Sequence, residues 1–172
     1  MVNASWHPAI VKRLVDGAMR CAEEAGVLSV IRIGVPGCFE LPRGCQAVAN
    51  MGVFHAIAAI GVLVRGETPH FDLVSQSAAA GLQRVQLDTR VPIGFGLLAV
   101  ENEQQAIERS RDDNVHNVGY DAMRAALVMS QYDEVNLGEG MSEGIDVELA
   151  RHGAPPEDST QRRWFGRRAQ PE

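Results

Sequence analysis

The residues that most restrict what this chain can fold into run from His55 to Val85. His55 to Val64 is an apolar run without helical periodicity, the pattern of a strand buried on both faces of a parallel sheet. Arg65 to Pro69 then turns the chain. From Phe71 the apolar residues recur at Val74, Ala78, Leu82 and Val85, steps of three and four that predict an amphipathic helix. Thr68 is the expected N-cap, and Pro69 suits the first turn, where a missing N–H costs nothing. A strand that gives way through a glycine turn to a helix leaves free N–H groups beyond the sheet, a geometry that binds anions. It places His70 in the helix's first turn, beside that anion, and Arg65 at the strand's mouth. An imidazole in that position suits proton transfer near neutral pH. The same residues also fit a plain capped helix with a surface histidine.

The flanking sequence repeats the alternation. Pro8 opens a helix whose buried stripe is Ile10, Val11, Leu14, Val15, Ala18, Met19 and Ala22, with Gly26 as its C′ residue. Val27 to Ile33 reads as a short β-branched strand. Gly34 to Pro42 is a loop in which the Phe39 ring suits a planar group and the Glu40 carboxylate suits hydroxyls. On the loop alone, a tight strand-to-helix turn with a packing phenylalanine is the favoured reading. A helix follows from about Pro42 to Met51, then the central strand and helix, then a strand over Val91 to Val100 with Phe95 between two glycines. Glu103 to Arg109 is a short helix, Arg111 to Asn117 a polar loop, and Val118 to Met129 a final helix. Alternation of this kind predicts an α/β fold, a three-layer sandwich with a parallel sheet between helices. Ligands bind beyond the carboxyl ends of such strands, a rule that gathers the loops around Trp6, Phe39–Glu40, Glu67–Thr68–His70 and near Phe95.

Composition narrows the class. With 172 residues, 45% hydrophobic and 22% charged, the chain has the make-up of one globular domain plus a tail. No apolar run is long enough to span a bilayer, and Met1 to His7 lacks signal-peptide anatomy. Cys21, Cys38 and Cys45 have no metal-ligand spacing, and an odd count without an export signal points to reduced thiols in the cytoplasm. A net charge of −6 argues against general nucleic-acid binding. The expected division is an α/β domain over residues 1–131 and a C-terminal extension over 132–172. The extension is expected to be largely disordered, with a candidate short helix from Ile145 to Arg151 and a basic, aromatic cluster from Arg162 to Arg168.

The residues Val35–Pro42, Val64–Asp72, Pro92–Leu98 and Glu103–Arg109, in this order and spacing, resemble the 6,7-dimethyl-8-ribityllumazine synthase family of riboflavin biosynthesis. The resemblance covers Ala4 to about Met129. It implies a flavodoxin-like sheet and condensation of 5-amino-6-(D-ribitylamino)uracil with 3,4-dihydroxy-2-butanone 4-phosphate, with no metal or organic cofactor. An imine forms, phosphate leaves, and the ring closes with loss of water. By resemblance, Trp6 stacks on the pyrimidine, while Cys38, Phe39 and Glu40 hold the ribityl chain and ring. Val62, Leu63 and Val64 contact the pyrimidine edge. Glu67 and Thr68 offer backbone N–H groups to the phosphate, Arg109 pairs with it, and His70 transfers protons. Phe95 comes from a neighbouring subunit. The implied partners are the two small substrates and further copies of the chain, as a pentamer or a 60-subunit shell, with riboflavin synthase or a tail-bound protein as additional partners and no membrane. A lumazine- or flavin-binding or shell-forming paralogue without turnover is the alternative.

Three departures from the family pattern stand out. Only Met1 to Ala4 precede Ser5, where the family has a whole central strand. Either the true start lies upstream or the first strand is stunted. A lysine common near the start of the last helix is absent, with Asn117 and Val118 at the nearest positions. The tail beyond Met129 is longer than usual.

Overall fold

The computed structural model describes residues 1–112 and 116–132. The candidate helix at Ile145–Arg151, the basic cluster and nearly all of the extension lie outside the described residues. In chain order the elements are β1 (Val2–Ala4), α1 (Pro8–Glu24), β2 (Ile33–Val35), a 3-10 turn (Cys38–Glu40), α2 (Leu41–Ala49), β3 (Ile57–Val64), α3 (His70–Thr89), β4 (Ile93–Val100), α4 (Glu103–Glu108) and α5 (Val118–Ser130). The four strands form one parallel sheet in the order β2-β1-β3-β4.

The central strands β1 and β3 are buried on both sides because they are buried at successive positions rather than at alternate ones. Ala58, Ile60, Val62, Leu98 and Val100 face α1 and α5, joining Ile10, Leu14, Ala18 and Met123 in one core. Ile57, Ala59 and Leu97 face the other way, onto Leu41, Cys45, Val74, Ala78 and Leu82 of α2 and α3. The expected three layers are therefore present, and each residue of the predicted stripe on α3 is buried. Gly26 follows the C-cap of α1 at φ 71°, a left-handed conformation that glycine adopts without a Cβ penalty.

Two expectations change. Met19, expected in the buried stripe of α1, is 42% exposed. Strand β2 covers Ile33–Val35, not Val27–Ile33. A strand exists only where a neighbour pairs with it, and β1 meets this segment at Val2↔Ile33, Asn3↔Gly34 and Ala4↔Val35. Met1 extends the pairing slightly, its ammonium donating to Ile31 O at 2.7 Å and its carbonyl accepting from Ile33 N at 2.9 Å. The β-branched residues before Ile31 have no ladder beside them. Strand β1, though only three residues long, is central: it is fully buried and pairs with β2 on one side and β3 on the other.

Candidate active site at the carboxyl ends of the strands

Strand order reverses at β1, whose sequence neighbour β2 lies on one side and β3 on the other, and a crevice opens beyond the carboxyl ends at such a point. Ser5 leaves β1 and its Oγ donates to Val35 O at 2.8 Å, tying the exits of β1 and β2 together. Trp6 comes next and is 71% exposed. His7 then sits at φ 55°, in the left-handed region, while Ile10 and Val11 both donate to its carbonyl at 3.0 Å. A non-glycine residue held there costs about 1 kcal/mol, so the turn that leaves the indole clear of the core is bent against local preference.

The loop after β2 comes to the same place. A methyl group built on Gly37 would lie 3.1 Å from Glu40 Oε2 and 3.5 Å from Trp6 Cδ1, so indole and carboxylate flank one glycine. Phe39 beside them is 60% exposed. Cys38 points inward instead, its Sγ donating to Val62 O at 3.5 Å. Burial pushes this thiol up to about 11, which keeps it protonated and unreactive. Val62 is buried, and Leu63 and Val64 are half-buried at the strand's exit.

At the end of β3, Arg65 N–H donates to Val100 O at 2.9 Å, and the chain turns through Gly66–Pro69 into α3. Glu67, Thr68 and His70 are exposed along this turn. The N-cap is Pro69, not Thr68: Asp72 and Leu73 donate to Pro69 O at 3.1 and 3.2 Å, and no side chain caps the helix. Thr68 lies one residue too early for its hydroxyl to reach those donors. The first N–H groups of α3 have no intrahelical partners, as at any helix start. Arg65 is not held ready for an anion either, because its guanidinium is engaged by Asp72 and Glu101.

One of the expected residues stands apart from this cluster. Phe95 pairs with Ala59, five residues before Val64, so it lies about 16 Å short of the mouth of β3 along the strand. It is half-exposed on the outer strand β4, over a hollow of about 230 Å³ lined by Ala79, Leu82, Gln83, Gln86 and Ile93. The sheet rule had gathered Phe95 with the other loops, but it falls near the amino end of its strand. Arg109 is the C-cap of α4, and its Nη1 donates to Gln105 O at 3.1 Å.

The family model for 6,7-dimethyl-8-ribityllumazine synthase matches residues 1–134. A protein of that name from Paenarthrobacter aurescens is 44% identical over 137 residues, 77% of this chain and 84% of its own length. Homonymous proteins from Kocuria rhizophila and Streptomyces avermitilis are 44% and 42% identical over 128 residues, covering 74% of this chain and 81% and 79% of theirs. The chain belongs to the 6,7-dimethyl-8-ribityllumazine synthase family.

Within a lumazine synthase framework, the position of the missing lysine is a structural one. Asn117 is the N-cap of α5, accepting from Tyr120 N at 3.1 Å, and Val118 is the first helical residue. Sequence reasoning overlooked Asp72 and Glu101, the partners of Arg65, and the capping role of Asn117. An Asp in the first turn of a helix and an Asn just before one were the available signals. Among the described residues no cluster of His, Cys, Asp and Glu could hold a metal ion, and no helix is long and apolar enough to cross a membrane.

Proposed function

We propose that residues 1–131 form a lumazine synthase unit that condenses 5-amino-6-(D-ribitylamino)uracil with 3,4-dihydroxy-2-butanone 4-phosphate. The observation that carries this reading is the meeting of three strand exits. Trp6 and Glu40 flank Gly37, Cys38 is pinned to Val62, and β3 opens through an exposed turn into α3. Trp6 and Phe39 are the aromatic surfaces for the pyrimidine, Glu40 accepts from ribityl hydroxyls, and Val62–Val64 border the ring. The phosphate lies on the N–H groups of Glu67 and Thr68 in the turn just before α3, where the helix dipole favours an anion. Once the amine and ketone are held together, His70 moves protons during imine formation, phosphate loss and ring closure. Holding two reactants in register accounts for most of the acceleration, with acid–base help as the smaller share.

Phe95 completes the site from a second copy. The separation of Phe95 from the mouth of β3 in its own chain supports a contribution from another copy, and we read the assembly as a pentamer or a 60-subunit shell in the cytoplasm. The fork of Arg109 then pairs with the phosphate.

The test mixes purified protein with both substrates and follows lumazine fluorescence, alongside light scattering for the assembly. Product formation is expected, with His70→Asn lowering kcat by about a hundredfold. Arg109→Ala should raise KM for the butanone phosphate on the order of thirtyfold and leave KM for the pyrimidine unchanged. Tight lumazine binding with no turnover would make the chain a non-catalytic paralogue.

A further inference from the structure

Arg65 occupies a position that the proposed chemistry does not use. Its Nε donates to both carboxylate oxygens of Glu101, at 2.8 and 3.1 Å. Nη1 and Nη2 donate to the two oxygens of Asp72, at 3.0 and 3.1 Å, and the guanidinium lies 4.1 Å above the centroid of the Phe71 ring. One side chain therefore grips the end of β4 and the first turn of α3, while its own backbone is bonded to Val100. Residues Gly66 to Pro69 link Arg65 to that first turn of α3.

We propose that Arg65 is a positioning residue, a strap that holds the Gly66–Pro69 turn in the shape that presents its N–H groups, and His70 behind them, to a phosphate. This rests on the reading of that turn as the phosphate site. Charge alone argues against Arg65 as a direct ligand, since one guanidinium faces two carboxylates and the cluster is net negative. The pairs are also solvent-exposed, at 37% for Arg65, 48% for Asp72 and 60% for Glu101, and exposed ion pairs add little to global stability. What a planar fork bound to two carboxylates and stacked on a ring supplies is geometry. All four residues of the turn, Gly66 to Pro69, are exposed and no side chain caps α3, so apart from the fixed φ of Pro69 the turn's shape rests on the Arg65 contacts. A turn already in its binding conformation spares the ligand the cost of ordering it.

The two roles predict opposite signs. A direct ligand would be released by Asp72→Asn, strengthening phosphate binding, whereas a strap is loosened and phosphate binding weakens. The experiment uses the full chain and compares Arg65→Lys, Arg65→Gln and Asp72→Asn with a control, Arg84→Gln. Arg84 makes an exposed pair with Asp88 at the far end of the same helix. Each protein is read for KM of both substrates, inhibition by inorganic phosphate, and thermal midpoint. Both Arg65 variants should raise KM for the butanone phosphate and the phosphate inhibition constant about tenfold. Asp72→Asn should raise them about threefold. KM for the pyrimidine should stay constant and the thermal midpoints should match the control. Lysine behaving like arginine, or Asp72→Asn tightening phosphate, would overturn the strap. If the Arg65 variants do not fold, Asp72→Asn, which leaves Arg65 on Glu101, decides the matter by its sign. A wild-type protein that neither makes lumazine nor responds to phosphate would instead sink the phosphate reading itself.

Discussion

Two polar knots hold loops onto this fold, and they are built on opposite principles. Around Arg65 the knot is ionic, exposed and made of long side chains: one guanidinium, two carboxylates and a ring. Around Asn117 it is neutral and buried. The Asn117 amide is 1% exposed and donates to Arg13 O at 3.1 Å and to Arg111 O at 2.8 Å, while its oxygen accepts from Tyr120 N. Val118 N–H then donates to Arg109 O at 2.9 Å, so this knot anchors the segment that carries Arg109. Solvent screens the first knot and leaves a desolvated amide no alternative partner in the second. The difference teaches that the buried knot maintains the fold, while the exposed one sets the shape of a turn.

The largest effects should come from attacking the buried knot. Asn117→Ala removes the cap of α5 and leaves two carbonyls without their donor, a loss of about 3 kcal/mol. That should show as a lower urea midpoint, measured at matched protein concentration because any assembly adds to apparent stability. Gly17→Ala attacks the same knot from α1. A Cβ there would collide with Asn117 Oδ1, so the amide has to leave its bonds, at a cost of about 2–3 kcal/mol. The double variant sharpens the comparison. With the amide already gone, alanine at position 17 should cost almost nothing, because the collision is removed and alanine is the better helix former. Strictly additive losses would show that Asn117 and Gly17 are not coupled and that the knot has been misread.

These knots also mark where the sequence was legible. The apolar run ending at Val64 and the stripe from Phe71 to Val85 were readable because burial on a sheet and on a helix each leave a local period. The turn itself was readable because a strand exit, a glycine and a helix start are adjacent in the chain. The limits of β2 were not, since they depend on which residues β1 reaches across a gap of about thirty positions. Nor were the partners of Arg65 legible: Glu101 lies at the end of another strand, and only the parallel register of β3 with β4 brings Val64 opposite Val100. Phe95 was misplaced for the same reason, because an apolar strand does not announce which of its ends a given residue stands near.

A smaller effect separates the knots by their response to pH. The Arg65 hydrogen bonds, with its charge beside them, hold the Asp72 carboxyl below the ordinary aspartate range. A carboxyl depressed in the folded state stabilises it above its unfolded pKa, and that contribution fades as pH falls through the depressed value. The strap should therefore remain closed at neutral pH and open only in acid, whereas the amide knot has no group to titrate. Carbon-detected NMR of the Asp72 carboxyl should give a depressed midpoint in the wild type and an ordinary one in Arg65→Gln. An unchanged midpoint in that variant would mean the two side chains do not interact in solution.

The smallest effect is expected at Cys38, which shares one property with each knot: it is buried like Asn117 and borders the site like the turn beyond Arg65. Burial raises its thiol to about 11 and those of Cys21 and Cys45 to about 12. At pH 8 a thiol titrating near 11 is thiolate only about one part in a thousand, and the thiolate is the reactive form. Native protein should resist alkylation at all three positions, with labelling that tracks unfolding rather than time. Cys38→Ser keeps a donor facing Val62 O and should leave KM for both substrates within about twofold of wild type, since the weak S–H bond it replaces contributes little. If serine at this position instead raised KM for the pyrimidine alone, the contact with β3 would have to be counted among the interactions that shape the site. Rapid alkylation of the folded protein would point the same way, showing that the loop after β2 opens far more often than a pinned, buried residue allows.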